Sequence, residues 1–104
     1  MNSLTSYLMQ QRAWSARTFG DGRRTEGICQ HIAKELAEIR SEPERYEEWI
    51  DVMILAMDGF WRHGGTPEEL FVMLRAKQSI NFAREWPQGL PEDQPVEHVR
   101  EVRS

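Results

Sequence analysis

Residues 44–62, ERYEEWIDVMILAMDGFWR, decide the class of this chain. From Trp49 to Met57 the stretch is apolar nearly all round, broken only by Asp51. A run of this length with no strict alternation reads as a helix, and a helix apolar on every side must be covered on several sides. Asp51 is the informative residue within it. An idle charge buried there costs several kcal/mol, so the aspartate needs a cation or a charged partner. Asp58, seven residues further, shares its face and reads either as a further ligand or as a surface residue.

Three more helical segments surround this one. Residues 4–17 place Leu4, Leu8 and Met9 toward one side, with Trp14 near the end. Residues 25–41 carry Ile28, Ile32, Leu36 and Ile39 along one stripe. The fourth has the clearest start: Thr66 caps, Pro67 suits the first helical position, and Glu69 completes a capping box. It is expected to run to about Trp86, where Pro87 stops it. Residues 86–104 then read as an extended C-terminal tail that docks on the bundle. No segment reads as a strand and no linker divides the chain. The expectation is one all-α domain, 1–104, whose third helix is covered partly by its own neighbours and otherwise by a partner chain.

Composition excludes more than it identifies. A chain of 104 residues with 39% hydrophobic and 29% charged residues has the makings of a packed core rather than of a disordered chain. The longest uninterrupted apolar run, Val52 to Met57, is far short of the roughly 18 residues needed to span a bilayer. The first residues lack a basic stretch followed by an apolar one, so no secretory signal is expected. The lone Cys29 excludes an intrachain disulfide and suits a reducing cytoplasm. A net charge of −4 argues against a nucleic-acid polymer as partner. Eight acids fall between Glu35 and Asp58, interrupted only by Arg40 and Arg45.

Within that acidic region, Glu35 and Glu38 are three apart on the second helix, and Glu48 and Asp51 three apart on the third. Each such pair puts two carboxylates on one face. On neighbouring antiparallel helices the pairs converge into a four-carboxylate pocket that requires cations, and all-oxygen ligands select hard ions such as Mg²⁺ or Mn²⁺. Glu42, Glu44 and Glu47 read instead as a solvated acidic face. A di-iron bundle would need Glu-x-x-His pairs, and the residues three before His31, His63 and His98 are Ile28, Phe60 and Pro95. On the fourth helix Lys77, Asn81 and Arg84 share a face, either as a phosphate and sugar clamp or as an ordinary polar face near a helix end. Trp14, Phe19 and His31 offer a stacking surface for a base, or else belong to the core. Arg23 and Arg24 lie in a loop from which they either reach phosphates or do nothing.

A family resemblance runs through these residues. Trp14, then Thr18-Phe19-Gly20, Arg24-Thr25-Glu26-Gly27, His31-Ile32-x-Lys34-Glu35-Leu36-x-Glu38-Ile39 and Glu48-Trp49-Ile50-Asp51-Val52 resemble the MazG-like all-α nucleoside triphosphate pyrophosphohydrolases. The match looks closest to the dATP/dGTP pyrophosphohydrolase branch, which includes phage MazZ-like enzymes. Asp58-Gly59, Arg62, Gly64, Lys77, Asn81 and Glu85-Trp86-Pro87 continue it, so coverage runs from about Trp14 to Arg100. The family pattern Glu-Glu-x-x-Glu begins here with Lys34, so its doublet is incomplete, while the metal-binding positions Glu35, Glu38, Glu48 and Asp51 are all present.

The resemblance implies a four-to-five-helix bundle completed as a homodimer or homotetramer. It implies hydrolysis of a (deoxy)nucleoside triphosphate, dGTP or dATP, to the monophosphate and pyrophosphate. Mg²⁺, replaceable by Mn²⁺ or Co²⁺, is expected on Glu35, Glu38, Glu48 and Asp51. Water attacks the α-phosphorus, with Glu38, and Glu35 beside it, as the catalytic carboxylates. Lys77, Asn81 and Arg84 are expected on phosphate and sugar, and Trp14 or His31 on the base. The alternatives are a non-catalytic helical regulatory module, whose apolar third helix binds a partner, and a house-cleaning enzyme for a pyrimidine or modified nucleotide. Neither a membrane nor a nucleic-acid polymer is expected as partner, and the expected location is the cytoplasm of a bacterium or phage-infected host.

Overall fold

A computed structural model describes residues 2–100. Four helices follow one another: α1 (Ser3–Phe19), α2 (Thr25–Ser41), α3 (Tyr46–Arg62) and α4 (Pro67–Ala83). No strand occurs among the described residues, so the all-α expectation holds. No helix is long and apolar enough to cross a membrane. The chain forms two compact units, one ending at Phe71 and the other beginning at Val72.

In the first unit, α3 is central. It packs most extensively along α2, and α1 lies against it. Asn2 starts α1 by accepting the Thr5 backbone N–H on Oδ1 at 2.8 Å. Gly20 ends it at φ +83°, a conformation that favours glycine, and returns its N–H to Ala16 O. The buried face of α1 comprises Thr5, Leu8, Gln11 and Ser15. Met9, expected beside Leu8, is instead exposed. The inward face is mostly polar because its partners on α3 are polar too: Gln11 Nε2 donates to Ile54 O at 2.9 Å, and Ser15 meets Arg62.

On α2 the inward stripe is Ile28, Glu35 and Ile39. Leu36, expected on that stripe, is exposed, and Glu35 takes the buried position one residue earlier. The turn at 42–45 folds α3 back along α2. That helix begins at Tyr46, two residues later than expected, because Arg45 is extended and its N–H bonds to Glu42 O in the turn. Trp49 Nε1 donates to Pro43 O at 2.9 Å and holds the turn against the first turn of α3. Among the described residues the buried hydrophobics forming the core are Leu8, Ile28 and Ile39, whereas Trp49, Ile50 and Met53 of α3 remain about half exposed.

The connection to α4 is tight. A Cβ on Gly65 would collide with the Phe60 ring, so glycine is required where the chain passes it. Thr66 caps as expected, its Oγ1 accepting the Glu69 N–H at 3.2 Å. The reciprocal bond differs from a standard box: Thr66 Oγ1 itself donates to Glu69 Oε1 at 2.8 Å.

In the second unit, α4 ends at Ala83 rather than near Trp86. Trp86 Nε1 donates to Asn81 O at 2.7 Å and so occupies the carbonyl that a further helical turn would offer to the Glu85 N–H. The tail is not simply extended. Val99 N donates to Glu85 O at 2.7 Å, and His98 stands edge-on to Trp86 with ring centres 6.0 Å apart. Residues 101–104 of the expected tail lie outside the described residues.

Candidate active site

The packing of α2 against α3 brings three of the four expected carboxylates together. Oxygens of Glu35, Glu38 and Glu48 all lie within 4.8 Å of one another. Glu35 and Glu48 are buried and Glu38 is exposed, so the cluster has one open side. The Glu48 carboxyl is pushed up from 4.5 to about 7. Hydrogen bonding to Glu35 is the largest cause, followed by hydrogen bonding to Glu38, burial, and repulsion by the same two carboxylates. Two cationic or potentially cationic groups flank the cluster. His31 Nε2 is 3.3 Å from Glu35 Oε1, and Arg45 Nη2 is 3.5 Å from Glu48 Oε1.

Glu35 Oε2 is buried and has no hydrogen-bond partner among the described residues. An orphaned carboxylate oxygen is costly unless something accepts its lone pairs. Together with two more carboxylates at ligand spacing, it fits a hard divalent cation.

Asp51, the fourth expected ligand, stands outside that close trio. It lines an adjoining pocket of about 320 Å³ that Glu35 also lines. Asp51 is half-buried and makes no ion pair among the described residues. The expected base contacts come to the same pocket: Trp14 and His31 line it, with Phe19 and Arg24. Trp14 meets Phe19 edge-on at 5.5 Å, and the Arg24 guanidinium lies 5.1 Å from the Phe19 ring centre.

Asp58 is neither a cluster ligand nor a bare surface residue. It accepts hydrogen bonds from Trp61 Nε1 at 2.9 Å and from Arg62 Nε at 2.7 Å. Burial alone would raise its carboxyl, but hydrogen bonds from Ser15, Arg62 and Trp61 outweigh it and hold the group below 3.8. Arg62, to which sequence reasoning assigned no role, is the buried centre of this region. Nη1 donates to Gly20 O and Gly22 O, and Nη2 to Ser15 Oγ. The available signal was the i,i+4 spacing of Asp58 and Arg62, which is common on solvated faces as well.

Lys77, Asn81 and Arg84 belong to the second unit. Lys77 and Asn81 stand one turn apart on α4, but Arg84 lies just past its end rather than on its face. Asn81 Nδ2 donates to Gln78 Oε1 at 3.3 Å.

An all-α chain whose paired helices gather carboxylates beside an aromatic-walled pocket has the arrangement of a nucleotide-hydrolysing enzyme. The particular family follows from comparison: this chain belongs to the dATP/dGTP pyrophosphohydrolases, whose family model matches residues 8–103. It is a nucleoside triphosphate diphosphatase by membership of that family. No curated protein and no solved structure matches the chain significantly.

Proposed function

We propose that this protein hydrolyses a purine deoxynucleoside triphosphate, dGTP or dATP, to the monophosphate and pyrophosphate, using Mg²⁺ held by Glu35, Glu38, Glu48 and Asp51. The observation that carries the reading is the convergence of Glu35, Glu38 and Glu48 around the unpartnered Glu35 Oε2. When bound, Mg²⁺ neutralises triphosphate charge and lowers the barrier to attack by water at the α-phosphorus.

The chain's own groups do the rest. Glu38, the exposed member of the trio, accepts the proton of the attacking water, with Glu35 beside it. Asp51 extends the ligand set toward the pocket. Trp14 stacks on the base and His31, held by Glu35, contacts its edge. Lys77, Asn81 and Arg84 are proposed for phosphate and sugar on their donor chemistry.

The working form is a homodimer or homotetramer, since three half-exposed side chains on α3 leave apolar surface to be covered; a single-domain chain acting in the cytoplasm belongs to the same proposal. Incubation with each nucleoside triphosphate, with and without Mg²⁺, followed by separation of the products, tests the reading. Release of pyrophosphate from dGTP or dATP supports it. Turnover confined to pyrimidine or modified nucleotides moves the substrate, and no turnover of any nucleotide leaves a non-catalytic helical module.

A further inference from the structure

A second buried, unpartnered oxygen belongs to a residue that lines the pocket. Gln11 sits on the inward face of α1 and is only 7% exposed. Its Nε2 donates to Ile54 O at 2.9 Å, which fixes which end of the amide is nitrogen and which is oxygen. Its Oε1 is buried and accepts no hydrogen bond among the described residues. Gln11 lines the pocket together with Trp14 and His31.

The other oxygen-bearing side chains of this pocket are engaged. Ser15 Oγ accepts from Arg62, and both Asp58 oxygens accept from Trp61 and Arg62. Glu35 and Asp51 belong to the proposed cation site. Gln11 is therefore the neutral acceptor left over, held in place by α3 and adjacent to an aromatic side chain suited to a base.

We propose that Gln11 is a specificity-determining residue: its Oε1 accepts a hydrogen bond from an N–H donor on the Watson–Crick edge of the purine in this pocket. The inference rests on the proposed function only in taking the ligand to be a purine nucleotide. Adenine supplies its 6-amino group, and guanine its N1–H and 2-amino groups. A purine ring with no such donor leaves Oε1 unpaired in the complex, and a site built to pair an N–H rejects the analogue lacking it.

The test compares dATP, dGTP and 2′-deoxynebularine triphosphate, whose purine edge carries no N–H. Two readouts are taken on the full chain: kcat/KM for each triphosphate, and calorimetric binding of the three monophosphates. Wild-type protein is expected to favour dATP or dGTP over the donor-free analogue by about tenfold or more in both readouts. Gln11→Leu and Gln11→Met, both close in volume but without a carbonyl acceptor, should each bring that ratio near one. Absence of the preference in wild-type protein overturns the inference whatever the variants do. A Gln11→Leu protein that melts like wild type and keeps the preference overturns it too. Selective binding of the monophosphates that Gln11→Leu loses, without hydrolysis of any triphosphate, supports Gln11 as the reader while removing the proposed catalysis.

Discussion

Arg62 Nε donates to Asp58 Oδ2 at 2.7 Å, one turn back along α3, and the remaining guanidinium donors reach Gly20 O, Gly22 O and Ser15 Oγ. One side chain thus fastens the end of α3 to the end of α1 and to the loop that follows. The Arg62 side chain is fully buried, so its charge is compensated by these partners and by the Trp61 ring, whose centre lies 4.5 Å from the guanidinium. Arg62→Met should lower stability by ~3–5 kcal/mol, because it strands Asp58 and several carbonyls together. Arg62→Lys should recover part of that loss, since one ammonium cannot match a planar five-donor fork. Denaturant unfolding of both variants checks this; a loss below about 1 kcal/mol for Arg62→Met would contradict the role.

Glu48 makes the metal-free protein sensitive to pH in a definite direction. Its carboxyl rises from 4.5 to about 7 on folding, so between those values the folded chain holds more proton than the unfolded one. That contribution is fully present below pH 4.5 and is lost as pH rises through 7. Asp58 acts oppositely: its depressed carboxyl contributes stability above about 3.8 that is lost in stronger acid. Between pH 5 and 7.5 Glu48 therefore sets the trend, and the metal-free protein should melt at a higher temperature at pH 5. Mg²⁺ should reverse the order, since it needs the charged carboxylate and displaces its proton. Melting curves at both values, with EDTA and with Mg²⁺, check the sign; a metal-free protein that is more stable at pH 7.5 would refute it.

Hydrolysis should require a divalent cation. Excess EDTA should abolish turnover, and Mn²⁺ or Co²⁺ should restore part of it. The products should be monophosphate and pyrophosphate, with no nucleoside diphosphate. Full activity in EDTA would remove the cation from the reaction, and diphosphate release would move attack to another phosphorus.

How much of this was legible in the sequence depends on the range of the interactions. The helices were read from periodicity and capping, which are local, and the Thr66–Glu69 cap illustrates this. Boundaries failed where a side chain bonded to the backbone, as when the Trp86 indole took Asn81 O and ended α4 early. The carboxylates of Glu35, Glu38 and Glu48 were legible because i,i+3 spacing on adjacent helices constrains where they meet. Leu36 is exposed and Glu35 buried because α2 turns part of its carboxylate face, and not its apolar stripe alone, toward α3. Gln11 was not legible, and Arg62 only through its i,i+4 spacing to Asp58: the other hydrogen-bond partners of both side chains lie 40 or more residues away in sequence, where local spacing names nothing.

Self-association is the next expectation. Trp49, Ile50 and Met53 of α3 are about half exposed, and a cluster of large apolar side chains of this kind is normally covered. Light scattering at micromolar concentration should give at least a dimer. Met53→Asp should weaken it and lower activity with it. An active wild-type monomer would refute the expectation.

Asp51 offers the sharpest separation between a cation site and a merely structural acid. It lines the pocket beside Glu35, is half-buried and makes no ion pair among the described residues. Asp51→Asn keeps the shape of the side chain but removes the charge that a cation needs. Activity should fall at least about a hundredfold, each factor of ten corresponding to roughly 1.4 kcal/mol of transition-state stabilisation. Metal-free stability should stay similar or rise, because one carboxylate fewer repels its neighbours. The added stabilisation by Mg²⁺ should shrink at the same time, as linkage requires when a ligand is lost. Had Asp51 been half of a buried ion pair, the same change would strand its partner and cost ~3–5 kcal/mol without metal. Paired activity and melting measurements on Asp51→Asn distinguish the two: a stable, inactive protein that has lost its response to Mg²⁺ supports the cation site, and an unstable one overturns it.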